Sequence, residues 1–141
     1  MSVRSLLFGG VRGNSVLFEL GLTPLRVFAG LALCLGHGLA KFPVSAAFIS
    51  RVEGFGFPMP ALFAWAAAGA EIVGGVLLAI GLLTRPAAFF ILCTMATAVV
   101  YQHANDPFSG KERALLFGAI ALAFLCVGAG RWSIDARIAR R

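Results

Sequence analysis

The sequence predicts an all-α protein, a four-transmembrane-helix antiparallel bundle. Three observations carry that expectation. Hydrophobic residues make up 60% of the 141 positions and charged residues only 13%, whereas a soluble domain averages roughly 45–50% apolar and about 25% charged. Four runs are long and apolar enough for the ~20 residues that cross ~30 Å of hydrocarbon at 1.5 Å per residue. The breaks between them carry turn chemistry and are short, which makes consecutive helices antiparallel neighbours.

The first run is Leu22 to Phe42, broken by Arg26, His37 and Lys41. Pro43 and the stretch Gly54-Phe55-Gly56-Phe57-Pro58-Met59-Pro60 separate it from the second run, Leu62 to Leu83, whose single charge is Glu71. Thr84-Arg85-Pro86 is a very short hinge, and Pro86 suits a first helical turn. The third run goes from Pro86 to about Ala104 and holds His103 near its end. Asn105-Asp106-Pro107 and Ser109-Gly110 lead to the fourth and shortest run, Glu112 to Gly128. The runs are too long for strands and show no period-two alternation.

These boundaries divide the chain into a cytoplasmic or interfacial leader (1–21), a membrane domain (22–138) and a basic tail (139–141). The leader lacks the continuous apolar core and cleavage site of a signal peptide, so it is expected to be retained. Asn14-Ser15 would cap a short surface helix running through Leu20.

Composition also excludes function classes. Twelve Lys/Arg against six Asp/Glu give a net charge of +6. The bases sit at the ends of apolar runs rather than massed on one segment, which is not the footprint of a nucleic-acid binder. Cys34, Cys93 and Cys126 are odd in number and lack CxxC spacing, which argues against a disulfide framework or a zinc site. They are read as packing residues.

One set of loop ends holds Arg4, Arg12, Arg85, Arg131, Arg137, Arg140 and Arg141. The other holds Arg51, Lys111 and Arg113, with Lys41 at the boundary. The positive-inside bias places both termini in the cytoplasm, with Trp132 at the inner headgroup level.

An ionisable side chain inside a bilayer costs about 2.5–3.5 kcal/mol on insertion scales and is a functional hypothesis by default. Arg26, Gly30, Leu33, Cys34, His37 and Lys41 form one stripe of the first helix. Ala64, Ala67, Ala68, Glu71, Gly74, Gly75 and Leu78 form a stripe of the second, small residues around one carboxylate, so Glu71 is expected to face the interior. The Cα–Cβ bond leans toward a helix N-terminus. On antiparallel helices, His37 and Lys41 therefore lean toward Glu71, and Arg26 leans away. The third helix offers either His103 or Tyr101, which fall on opposite faces at 100° per residue; Thr94, Thr97 and Tyr101 make its polar stripe. The expected site is a polar pocket in the outer half of the bundle, walled by His37, Lys41 and Glu71 and closed by His103 or Tyr101. The structural alternatives are snorkelling of Arg26, Lys41 and Glu112 to headgroups, a plain ion pair at Glu71, and close helix packing at Gly74 and Gly75.

The residues Leu25-Arg26-Val27, His37-Gly38-Leu39-Ala40-Lys41-Phe42, Glu71-Ile72-Val73-Gly74-Gly75, His103 and Gly128-Ala129-Gly130-Arg131-Trp132-Ser133-Ile134-Asp135 together resemble the DoxX family of small bacterial membrane proteins, over about residues 22–138. The resemblance implies four transmembrane helices. It also implies a redox association through the related DoxD-type subunit of thiosulfate:quinone oxidoreductase, and it places Arg26, His37, Lys41, Glu71, His103, Arg131 and Asp135 at the family's polar positions.

The leading functional expectation is a quinone-linked redox subunit. Its His37 and Lys41 would donate to the quinone carbonyls and Glu71 would relay protons. No haem, flavin, iron–sulfur or metal motif is present, so a redox partner protein would supply electrons. The alternatives are a non-catalytic interaction or assembly subunit, and a small-solute transporter, which with four short helices requires a homo-oligomer.

Overall fold

The computed structural model describes residues 16–140. α1 (Val16–Leu33) runs without interruption into a five-residue π turn (Cys34–Gly38) and a final 3₁₀ turn (Leu39–Lys41). A short α2 (Ala46–Gly54) follows, with Ser45 capping it through the Phe48 N–H. α3 (Pro60–Ile80) begins on a helix-compatible proline and stops at Gly81, whose left-handed backbone (φ 70°) ends the helix. α4 (Thr84–Thr97) widens into a second π turn (Ala98–Gln102). α5 (Phe108–Val127) and the short α6 (Ile134–Ala139) complete the described chain, which contains no strand.

Three of these helical stretches, Val16–Lys41, Pro60–Ile80 and Thr84–Gln102, are long and apolar enough to cross a membrane. α5 has 20 residues but does not join them, because Lys111, Glu112 and Arg113 charge its first turns. Of the four expected spans, three are therefore long and apolar enough to cross a membrane, and the fourth, Glu112 to Gly128, is not among them. The first run also starts earlier than expected. Residues 16–21 are the opening turns of α1, so no separate surface helix ends at Leu20. The remainder of the expected leader, including the Asn14-Ser15 cap, lies outside the described residues.

The long helices pack in a cycle, α1 on α3, α3 on α4 and α4 on α5, with a lighter contact between α1 and α5. Their shared core is Leu33, Leu78, Ala88, Ile91, Met95, Ala121 and Phe124. Large apolar side chains such as Phe28, Leu35, Val73 and Phe90 point outward, as expected of helices solvated by lipid rather than water.

Glycine sets the closest crossing. A Cβ on Gly30 would lie 2.4 Å from the Gly75 carbonyl oxygen, and one on Gly75 would lie 2.7 Å from the Gly30 carbonyl oxygen. A Cβ on Gly38 would meet Ile72 at 2.7 Å. Backbones this close gain dispersion and dipolar contact that larger residues would forbid. Gly74 turns instead toward Ile91 of α4, so the two adjacent glycines serve two different helix partners.

Candidate functional site

Glu71 sits near the middle of α3 and is 2% exposed. Around it α3 carries Ala64, Ala68, Gly74 and Gly75, all buried, so no bulky neighbour shields the carboxylate from α1. Lys41 ends the 3₁₀ turn of α1, 30 residues earlier in sequence. Its Nζ donates to both carboxylate oxygens of Glu71, the Oε2 contact measuring 2.5 Å. The lysine side chain is partly exposed and the carboxylate is not. The long alkyl stem thus reaches inward from the helix end, so the pair is anchored at Glu71.

Two cavities meet at this ion pair. The larger, about 320 Å³, is walled by aromatic and small residues: Phe48 and Val52 of α2, Phe55, Phe57, Phe63, and Phe89, Phe90, Cys93, Thr94 and Thr97 of α4. The Thr94 and Thr97 hydroxyls donate back to the Phe90 and Cys93 carbonyls, which leaves this wall effectively apolar. The smaller cavity, about 210 Å³, is polar and is lined by His37, His103, Gln102, Arg113, Met95 and Phe117 among others. Lys41, Glu71, Ala98 and Gln102 line both. The ion pair therefore stands in the partition between an apolar and a polar compartment.

Both π turns border the polar cavity. The first carries His37 and the second carries Ala98 and Gln102. A π turn inserts a residue into the α-helical register and is often found at functional sites. Here the second one also decides between His103 and Tyr101. The His103 N–H donates to the Ala98 carbonyl five residues back (2.9 Å), so the 100° extrapolation along α4 fails beyond Thr97. His103 lines the polar cavity and pairs through Nδ1 with Asp106 Oδ2 at 2.7 Å. Tyr101 packs its ring at a tilt against Phe55 and Phe57 and lines neither cavity.

His37, Lys41, Glu71 and His103 thus share one cavity, and Tyr101 lies outside it. His37 rests edge-on against Phe117, with ring centroids 5.5 Å apart. The structure adds residues that the sequence did not single out: Gln102 and Arg113 on the polar side, and the phenylalanines of α2 and its following loop on the apolar side. A legible signal for the latter was the Phe48, Val52, Phe55 spacing of i, i+4, i+7.

The remaining polar positions form a second cluster at the opposite end of the bundle. Arg26 is 2% exposed and donates to the Ala129 carbonyl at 2.6 Å and the Trp132 carbonyl at 2.9 Å. Asp135 accepts from the Leu83 and Thr84 N–H groups at 2.7 and 2.9 Å, which caps the start of α4. The Asp135 N–H donates to the Gly81 carbonyl. Glu19, 1% exposed, accepts from the Arg131 and Trp132 N–H groups. Arg131 joins the cluster through its backbone, and its side chain is exposed. Glu19 fell within the expected leader. The i, i+4, i+7 spacing of Glu19, Thr23 and Arg26 would have placed it on the Arg26 face. This cluster binds the start of α1, the α3–α4 turn and the chain after α5 to one another, so those three segments lie at the same end. Among the described residues no group of His, Cys, Asp and Glu could hold a metal ion.

The chain is 33% identical over 109 residues to a Bacillus subtilis protein named "Putative oxidoreductase CatD", covering 75% of this chain and 79% of that one. It is 34% identical over 134 residues to an uncharacterized membrane protein of Mycobacterium tuberculosis, covering 83% and 80%. An uncharacterized Haemophilus influenzae protein is 34% identical over 119 residues, covering 79% and 85%. No solved structure matches. Residues 21–104, which contain Arg26, His37, Lys41, Glu71 and His103, match the DoxX family, and with apolar helices that carry these side chains inward the chain belongs to that family of membrane proteins.

Proposed function

We propose that this protein is the quinone-facing subunit of a membrane redox system. In this reading it is held in the bacterial inner membrane by four spans, with α5 as the fourth and both termini cytoplasmic. The observation that supports it most is the apolar, aromatic cavity that ends on a buried ion pair. Its volume falls at the lower end of the range for small-molecule sites, about 300–1,000 Å³. Phe63, Phe89 and Phe90 on its rim are exposed on the lipid-facing surface, so a lipophilic molecule would enter from the bilayer. Arg85, Arg131, Arg137 and Arg140 at the Arg26 end, with Arg4 and Arg12 preceding α1 in sequence, support a cytoplasmic placement of that end.

A quinone supplies two carbonyl oxygens that take up two electrons and two protons. In this chain Lys41 Nζ would donate a hydrogen bond to the nearer carbonyl. Glu71, already bonded to Lys41, would pass a proton across the same contact. The phenylalanines would hold the ring flat and exclude water from it. The chain has no electron carrier of its own among recognisable motifs, so the electrons would come from a donor protein, a role consistent with the oxidoreductase name of one relative.

The test uses Cys93, which lines the apolar cavity. Purified protein is treated with N-ethylmaleimide, with and without a short-tailed, fully substituted quinone that cannot add a thiol, and Cys93 modification is followed by peptide mass. The expected result is slower modification of Cys93 with quinone present, with the rate at lipid-facing Cys126 unchanged. Equal rates at Cys93 at saturating quinone would refute the proposal.

A further inference from the structure

The polar cavity lies on the far side of Glu71 from the aromatic one, and the quinone reading gives it no role. Its lining differs sharply from a packed core. His37 and Lys41 face it from α1, Glu71 from α3, His103 from the turn after α4, and Arg113 from α5. Glu71 is buried, His37, Lys41 and His103 are half-buried, and Gln102 and Arg113 are exposed; a polar lining of this kind is ordinarily satisfied by water, and about 210 Å³ leaves room for several molecules, each able to find two or more polar partners. Its position is equally informative. Arg113 is exposed and Gly110, in the first turn of α5, also lines the cavity, so the cavity reaches the surface at the α4–α5 turn. In the other direction, the Gly30–Gly75 backbone contact closes the α1–α3 seam between Glu71 and the Arg26 cluster, and Leu33 and Met95 end the lining. A hydrated path from Glu71 therefore leads toward the α4–α5 turn.

We infer that the polar cavity is a water-filled proton port, through which Glu71 exchanges protons with the aqueous phase at the α4–α5 turn, the end away from the termini. The inference rests on the quinone reading for its use. Reduction of one quinone takes two electrons from the donor protein and two protons, each passing from water in the port to Glu71 and on to a carbonyl oxygen. The protons are then consumed on the outer side of the membrane. His103 on the lining pairs with Asp106 within the α4–α5 turn.

The test does not require quinone. In protein whose three native cysteines are replaced by alanine, single cysteines are placed at Ala114 and, separately, at Met95, both buried residues on the polar lining. Met95→Cys removes volume where Ala114→Cys adds it, so a packing fault would not affect both alike. Glu112→Cys, on the exposed turn, reports folding and reagent access. A small, charged, membrane-impermeant thiosulfonate is applied to spheroplasts and to inside-out vesicles. The expected result is modification of positions 95 and 114 in spheroplasts, within about tenfold of the rate at 112, and protection in inside-out vesicles. If 112 reacts and both 95 and 114 resist, the cavity is dry and the inference fails. Reaction only in inside-out vesicles overturns the stated side. Neither result touches the Cys93 protection experiment, so the two readings fail separately.

Discussion

Replacing Gly30 with alanine adds one methyl group at the tightest point of the bundle. The new Cβ would stand 2.4 Å from the Gly75 carbonyl oxygen, 2.7 Å from the Ala79 nitrogen and 2.9 Å from the Ala79 Cβ. Two of these atoms belong to the α3 backbone and cannot rotate away. To reach the 3.4 Å of ordinary contact, α1 and α3 must part by about 1 Å. Overpacking of this kind costs typically 1–3 kcal/mol, offset by at most about 1 kcal/mol from the better helix propensity of alanine. The net expectation is a loss of about 1–2 kcal/mol. Gly69→Ala is the internal control, since nothing lies within 4 Å of its Cβ position, and it should be neutral or stabilising. Equilibrium unfolding in a mild detergent, on all three proteins, measures the difference. If Gly30→Ala proves as stable as Gly69→Ala, the two backbones are not in contact, and the closed wall between the two polar clusters does not exist.

Two further outcomes follow from hydrogen bonds and ion pairing. Lys41→Met should cost more stability than Glu71→Gln, because the first strands a carboxylate that is 2% exposed while the second frees a lysine that is partly exposed; removing one partner of a buried pair costs roughly 3–5 kcal/mol. A double-mutant cycle on detergent-solubilised protein checks this, and equal single-mutant losses would contradict it. Asp135→Ala should raise amide hydrogen exchange at Leu83 and Thr84 and lower stability by about 3 kcal/mol, since it removes the charged acceptor of both N–H groups and such bonds are worth about 1.5–3 kcal/mol each.

The helices and the approach of Lys41 to Glu71 were legible because both depend on short-range rules. The ~20-residue apolar runs fix the long elements, and the stripe of small residues around Glu71 fixes its inward face. The antiparallel lean of Cα–Cβ bonds brings Lys41 toward it. The residues that escaped share a different property: each depends on a break in periodicity or on a distant partner. Tyr101 and His103 change faces because Ala98–Gln102 is a π turn, and no residue pattern in that stretch announces the extra residue. Glu19 finds its partners more than a hundred positions away and precedes the first apolar run, so only its spacing to Arg26 hinted at the face it takes. The aromatic cavity is built by a nine-residue helix in what reads as a connection, and only its Phe48, Val52, Phe55 repeat marks it.

The Arg26 cluster has a consequence for biosynthesis. The two carbonyls that receive the guanidinium lie 103 and 106 residues downstream. While the ribosome is still making α3 and α4, α1 carries an arginine whose final acceptors do not yet exist, and snorkelling to the headgroups is the open refuge for its charge. The guanidinium reaches its final hydrogen bonds only when residues 129–132 arrive. A chain truncated before that point retains every long helix yet lacks both carbonyls that receive the Arg26 guanidinium.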